Sequence, residues 1–311
     1  MAITSQMVKT LRDKTNAGMM DCKKALQECD GDIDKAIEWL RQKGLMTARK
    51  RAGRATREGL VLTKVTGDSK IGAVVELNSE TDFVSKMDSF KDITESLVGY
   101  LAAAPKAPES VAELLEAKCP TCGEKFGEVI NRAVGTTGEV IRLRRFKVIK
   151  AGPNGLVHGY VHAGGRLGVL IELDVENPGP EVEELAHNLA MHVAAINPMA
   201  IKVEHLSEDF LAKERAVHVA KSKEEIEARA KKNPKKAPTN IEGLLTQMVD
   251  GKMKKSFAEL VLLEQAYVKD PAKTVTALIK EASKDLGQIE IVSFVRFQLG
   301  EEIEGENAPE E

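Results

Sequence analysis

The sequence holds none of the short motifs that announce phosphate, acyl or metal-hydrolase chemistry. It has no phosphate-cradling glycine loop, no nucleophile elbow and no His-Glu-x-x-His helix. Ala163-Gly164-Gly165-Arg166 is rich in glycine, but no helix N-terminus follows to hold an anion, so it is read as a turn between strands. No apolar stretch approaches the roughly 20 residues that a membrane-spanning helix needs. Met1 to Gln6 lacks the basic start and apolar run of a secretory leader. A net charge of −3 supplies no global pull toward nucleic acid or anionic lipid. The expectation is a cytoplasmic protein with no cofactor or bound metal and with neither nucleic acid nor membrane as a direct partner.

Cysteine is scarce as well. The four thiols fall into two local pairs, Cys22/Cys29 and Cys119/Cys122, in a chain of 311 residues that is large enough to fold without staples. Reduced thiols are the simplest reading. Cys119-Pro120-Thr121-Cys122-Gly123 has the spacing of half a zinc site, but no histidine pair lies near it at finger spacing. The six histidines are scattered. His162, just before the glycine turn, is the one placed for presentation at a surface.

What the sequence does contain is charge (30%) and aliphatic pattern in globular balance, over a length that suggests two or three compact units. Residues 1–54 read as three short helices of ubiquitin-associated layout. Met7, Val8, Leu11 and Thr15 mark the first, and Met19 to Cys29 forms the second. The third spans Ile33 to Lys43, with Asp32 as N-cap and Gly44 as C-cap. A basic stretch, Arg49 to Arg57, reads as a solvated helical linker.

The most informative feature is an internal repeat. Gly59-Leu60-Val61 matches Gly155-Leu156-Val157, an offset of 96 (155 − 59). At the same offset Ile71 to Asn78 matches Leu167 to Asp174. Each copy reads as two β-strands, then a helix (Phe90 to Ala104, Glu181 to Ile196), then a strand around Arg145-Phe146 or Arg296-Phe297. The prediction is an α+β protein whose core is two related antiparallel-sheet subdomains, residues 55–150 and residues 151–206 with 256–300. Residues 207–255 form an inserted helical hairpin with its tip at Asn233 to Pro238, and residues 301–311 form an acidic, frayed tail. The hairpin is expected to serve as a lever, as a partner contact or as a contact between two copies of the chain.

The turn after the second strand differs between copies. In the first, Glu76 to Lys86 passes through Thr81-Asp82-Phe83-Val84 and sets one aromatic ring beside an acid. In the second, Val175-Glu176-Asn177-Pro178 has no aromatic. Two readings stand at this point: Phe83 is a lid on its own core, or a wedge for a partner's pocket.

Leu11 to Leu26 resembles the N-terminal signature of the elongation factor Ts family, and Glu76 to Lys86 resembles its second signature closely. Tyr160-Val161-His162, Gly164 to Gly168, Met191 to Ala195 and Gly251 to Lys255 are also similar. The Cys119/Cys122 segment and Gln265-Ala266-Tyr267 depart from the family's wording. The resemblance implies a guanine-nucleotide exchange factor that strips GDP from elongation factor Tu. It implies that the N-terminal helices, with Met19, Met20 and Lys23, bind the partner's G domain. Thr81, Asp82, Phe83 and Val84 would dislocate the partner's Mg²⁺ site, and His162 would touch the partner elsewhere. The alternative is an RNA- or peptide-binding module with a ubiquitin-associated-like domain.

Overall fold

The computed structural model describes residues 3–15, 17–51, 55–232 and 240–302. It is a mixed α and β protein with three N-terminal helices and antiparallel sheets. The chain divides into two compact units, residues 1–172 with 294–311, and residues 173–293.

The first unit opens with α1 (Ser5–Thr15), α2 (Met19–Glu28) and α3 (Ile33–Arg51). Val8 and Leu11 from α1, Cys22, Ala25 and Leu26 from α2, and Ala36 from α3 make a small buried core. The helical spacing of these apolar residues leaves one stripe per helix, which is how short helices find each other. Asp32 caps α3 as expected, its Oδ1 accepting the Lys35 N–H at 3.0 Å. Gly44 does not end that helix, which runs on to Arg51. A glycine costs a helix only about 1 kcal/mol relative to alanine. Leu45, Met46, Ala48, Arg49 and Lys50 are all strong helix formers, and no proline intervenes to stop the helix.

The first copy of the repeat contains β1 (Glu58–Val65), β2 (Ile71–Ser79) and β3 (Ile141–Lys150), in sheet order β1-β2-β3. Between β2 and β3 lie α4 (Asp82–Ser85), α5 (Asp88–Ala103), α6 (Val111–Glu116) and α7 (Phe126–Thr137). Phe90, Ile93, Leu97 and Leu101 of α5 and Phe126, Val129, Ile130 and Val134 of α7 pack on Leu60, Ala73, Val75, Leu77 and Leu143 of the sheet. Alternate residues point the other way: Val61, Val74 and Ile149 pack against Val157, Leu170 and Phe297. The middle strand is therefore buried on both faces, which explains its nearly unbroken apolar run.

The second copy contributes β4 (Gly155–His162), β5 (Leu167–Val175) and β8 (Ile289–Gln298), in order β4-β5-β8. Within the first unit the two copies meet reciprocally. A Cβ on Gly72 would lie 2.5 Å from Val157 Cγ1, and a Cβ on Gly168 would lie 2.6 Å from Val61 Cγ1. Gly72 and Gly168 are repeat equivalents, and so are Val61 and Val157. Each copy thus inserts a valine into the glycine notch of the other.

A register shift in β3 lets both Arg144 and Arg145 face Glu76, because Glu76 pairs with Arg145 and Leu77 with Leu143. In a regular strand these neighbours would point to opposite faces. The fully buried Glu76 carboxylate accepts from Arg145 Nε at 2.6 Å and Arg144 Nη1 at 3.2 Å. Both arginines also hold Glu301, through its backbone carbonyl and its carboxylate. The acidic segment is therefore not frayed from its start, since Glu301 is pinned. Its residues from 303 on lie outside the described part, as does the hairpin tip.

The second unit carries α8 (Pro180–Ile196), which ends on Asn197 in the left-handed conformation (φ 54°). The hairpin follows as α9 (Glu208–Lys232) and α10 (Ile241–Leu260). The arms bury Ile226, Val249 and Met253 and are tied by Arg215–Asp250 and Lys252–Glu225 ion pairs. A two-stranded β6–β7 ribbon (Ala266–Tyr267, Asp270–Thr274) and α11 (Val275–Leu286) lead into β8. No local pattern in the sequence signals the ribbon.

Candidate functional site

Strand β2 ends at Ser79, and the chain turns through Glu80 and Thr81 into α4, a single helical turn. The turn is clamped from the segment that leads into β3. Glu139 receives Thr81 twice, its Oε2 accepting the backbone N–H at 3.0 Å and its Oε1 accepting the hydroxyl at 2.7 Å. Glu80 returns the contact, its Oε1 accepting the Val140 N–H at 2.9 Å. Ser79 Oγ donates to the Thr81 carbonyl and Ser85 Oγ to the Asp82 carbonyl. Hydrogen bonds to ionised acceptors are the stronger kind, so the crossed carboxylates fix this turn before any partner arrives.

The single turn of α4 sorts its side chains. Val84 is buried against the α5 core and Ser85 is buried beside it. Phe83 is 81% exposed, the most exposed large apolar side chain described. The lid reading therefore fails for Phe83, because Val84 performs that task and leaves the ring outside. Asp82 lies at the surface with Lys86 Nζ 2.5 Å away, and the ammonium holds its carboxyl below the ordinary range. Thr81, Asp82 and Phe83 thus reach the surface, whereas Val84 anchors them from below.

The second copy repeats one arm of the clamp and lacks the ring. Glu176 stands 96 residues after Glu80 (176 − 80), and its Oε2 accepts the Gln288 N–H at 3.1 Å. Gln288 immediately precedes β8 as Val140 immediately precedes β3. At the position of Phe83 the second copy has Gly179 (83 + 96). The carboxylate tie belongs to the fold, and the aromatic is an addition to one copy. Local pattern singles out neither Glu80 nor Glu139, although the Glu80/Glu176 equivalence is a signal that could expose the first.

The other candidate residues are also at the surface of the first unit. Met19 and Met20 open α2 and are 57% and 75% exposed, and Lys23 is exposed one turn on. His162 ends β4 on the other three-stranded sheet, exposed, with its Nδ1 2.8 Å from the Tyr160 hydroxyl. The glycine turn after it is built from three successive left-handed residues, Ala163, Gly164 and Gly165. Lys14 and Thr15 at the end of α1 share a cleft of about 400 Å³ with Val84, Ser89 and Phe90, at the base of the Phe83 turn. Among the described residues no cluster of three or more His, Cys, Asp or Glu side chains is arranged to hold a metal ion. No described helix is long and apolar enough to cross a membrane.

The described surface thus presents an exposed ring on a clamped turn, an exposed methionine pair and a charged helical hairpin. A family model described as Elongation factor TS matches residues 80–301, a span that begins at the clamp. The chain is 40% identical to the elongation factor Ts of Nitratidesulfovibrio vulgaris strain DP4, with all of both chains covered. It is 40% identical to that of Bdellovibrio bacteriovorus, covering 98% of this chain and 94% of the relative. To that of Clostridioides difficile strain 630 it is 41% identical, covering 97% and 94%. Agreement at this level along the full length is more than a shared fold requires, and the chain belongs to the elongation factor Ts family of translation elongation factors.

Proposed function

We propose that this protein is a guanine-nucleotide exchange factor, not an enzyme, that acts in the cytoplasm on elongation factor Tu and releases its GDP by disturbing the Mg²⁺ and phosphate end of the nucleotide site. The observation that carries this reading is the 81% exposure of Phe83 on a turn already fixed by Glu139 and Glu80. A large apolar group held out in water is poised to gain free energy when a partner covers it, and a rigid mount means that little of this gain is lost to ordering.

Exchange requires that the factor and GDP weaken each other by the same factor. A shift of about 10⁴ in a two-state balance takes roughly 5.5 kcal/mol. Burying one phenylalanine supplies about 1.5–3 kcal/mol. Phe83 is thus the wedge, and the remainder must come from a broader surface. Met19, Met20 and Lys23 on α2 and His162 on β4 are assigned to that surface. Asp82, ionised and beside Lys86, is assigned a polar contact with the displaced part of the partner.

The test is stopped-flow release of fluorescent GDP from elongation factor Tu. The wild-type chain should accelerate release. Phe83→Ala should fold normally and still bind nucleotide-free partner, yet release GDP more slowly by about one to two orders of magnitude, the rate equivalent of that burial energy. Release at the wild-type rate by Phe83→Ala would remove the wedge from the mechanism. No acceleration by the wild type, together with binding to RNA, would favour the nucleic-acid reading instead.

A further inference from the structure

Cys119 and Cys122 lie in the loop between α6 and α7, in the first unit, and Cys122 reaches the cleft at the base of the Phe83 turn. The loop is closed by its own backbone. The Cys119 N–H donates to the Glu124 carbonyl and the Gly123 N–H donates to the Cys119 carbonyl, both at 2.8 Å, while Lys118 pairs with Lys125 across the base. The Gly123-to-Cys119 bond makes one helix-like turn, in which residues three apart bring their Cβ atoms to about 5–6 Å. That separation is within reach of a disulfide after a small adjustment.

The two thiols have different settings. Cys119 is buried and Cys122 is exposed. Cys122 lines the same cleft of about 400 Å³ as Lys14, Phe90 and Arg132, a size that admits a small molecule. Cys119 Sγ lies 3.0 Å from the Thr121 hydroxyl oxygen. We propose that Cys119 and Cys122 form a reversible dithiol–disulfide site that reacts with small disulfides of the glutathione class.

The reaction balances as two exchanges. The Cys122 thiolate attacks one sulfur of the small disulfide, forms a mixed disulfide and expels one small thiolate. The Cys119 thiolate then attacks the Cys122 sulfur, closes the Cys119–Cys122 disulfide and expels the second thiolate. Two electrons pass from the protein dithiol to the small disulfide, and the protons of both protein thiols finish on the two small thiols. The environment suits these roles. Burial pushes the Cys119 thiol up, but donors from Thr121 and from the Cys122 N–H outweigh it and hold the thiol below its usual range. Burial and the neighbouring Cys119 push the Cys122 thiol up, which leaves little thiolate at neutral pH and makes the reaction slow; Cys122 is the sulfur that a small disulfide meets first because it is the exposed one.

One alternative is weaker on the same observations. A resident metal ion would need further ligands, and none gathers there among the described residues. The other pair provides an internal comparison: Cys22 lies on α2 and Cys29 caps its end, so they are about 10 Å apart along the helix axis and cannot bridge.

The experiment uses the full chain, reduced, at pH 7.4 in buffers of graded glutathione to glutathione disulfide ratio, quenched in acid and read by peptide mass spectrometry. The peptide holding Cys119 and Cys122 should become two hydrogens lighter as the ratio falls, and dithiothreitol should restore it, while Cys22 and Cys29 form no internal bond. Cys119→Ser should accumulate glutathione on Cys122. Cys122→Ser, at an exposed position, should slow any modification of Cys119 by at least about tenfold, since burial then shields the remaining thiol. A wild-type chain that remains a dithiol throughout, or that keeps glutathione on Cys122 without closing the internal bond, overturns the proposal. Both of those outcomes are measured on the wild type, so neither depends on a variant that folds.

Discussion

At the residue scale, the decisive fact is a division of labour between neighbours. Val84 fills the core, Phe83 stands in solvent, and Thr81 is tied to Glu139. The tie has a measurable consequence for the proposed exchange. Without it Phe83 would have to be ordered when the partner binds, and immobilising such a group costs about 0.5–1.5 kcal/mol. Glu139→Gln keeps the shape and removes the charge that strengthens both hydrogen bonds. We expect it to slow GDP release roughly 2- to 10-fold, the rate equivalent of that cost. Stability to urea should change little, because the contact is only partly buried. An unchanged release rate in the same stopped-flow assay would show that the ring needs no tether. This residue also marks a limit of sequence reading. The strand ends, the turn and the aromatic at position 83 follow from local pattern, but Glu139 meets Thr81 from 58 residues away, a pairing that only the folded sheet creates.

At the scale of elements, the repeat explains both what is legible and what is not. The short apolar run of β1 and the double-sided burial of β2 follow from their β-branched and aliphatic residues, and the second copy repeats the wording. Helix bodies are equally plain. Their ends are not, since Gly44 yields to the strong helix formers after it, and the bulge that turns Arg144 and Arg145 onto Glu76 depends on cross-strand register rather than on local sequence. Nor does a sequence reveal that equivalent glycines are notches for the opposite copy. That arrangement makes a symmetric prediction. Gly72→Ala and Gly168→Ala should each destabilise the chain by about 1–3 kcal/mol, the usual cost of forcing a methyl into a packed core. Pairing either with the valine facing it, as Gly72→Ala with Val157→Ala or Gly168→Ala with Val61→Ala, should recover part of the loss, because the valine methyl that the new alanine methyl would crowd is removed. Urea unfolding of the two singles and the two doubles checks this. Strict additivity in both pairs would mean that the notches are not filled by those valines.

At the scale of the whole molecule, the chain is two compact units whose stabilities need not respond alike to conditions. The second unit contains a pH-sensitive group that the exchange reading does not use. His192, fully buried in α8, donates from Nε2 to Gln265 Oε1 at 2.9 Å and accepts the Val268 N–H at Nδ1 at 3.1 Å. Gln265 is itself oriented by donating from Nε2 to the Glu259 carbonyl. One ring nitrogen therefore carries hydrogen and the other must not. Burial holds the imidazole below its ordinary range, and the bond to Gln265 only partly opposes this. The folded state then binds fewer protons at this site than the unfolded state does, so stability rises with pH wherever the unfolded histidine is protonated. Its contribution is complete above about pH 6.5, the unperturbed value, and is lost as pH falls below it. Protonation would also set an Nδ1 hydrogen against the Val268 N–H. Hydrogen exchange followed at pH 7.5 and pH 5.5, corrected for intrinsic rates, should therefore show α8 and the β6–β7 ribbon losing protection at the lower pH. His192→Gln should be less stable at pH 7.5 yet lose less on acidification. Equal losses in wild type and variant would place the acid sensitivity on another group.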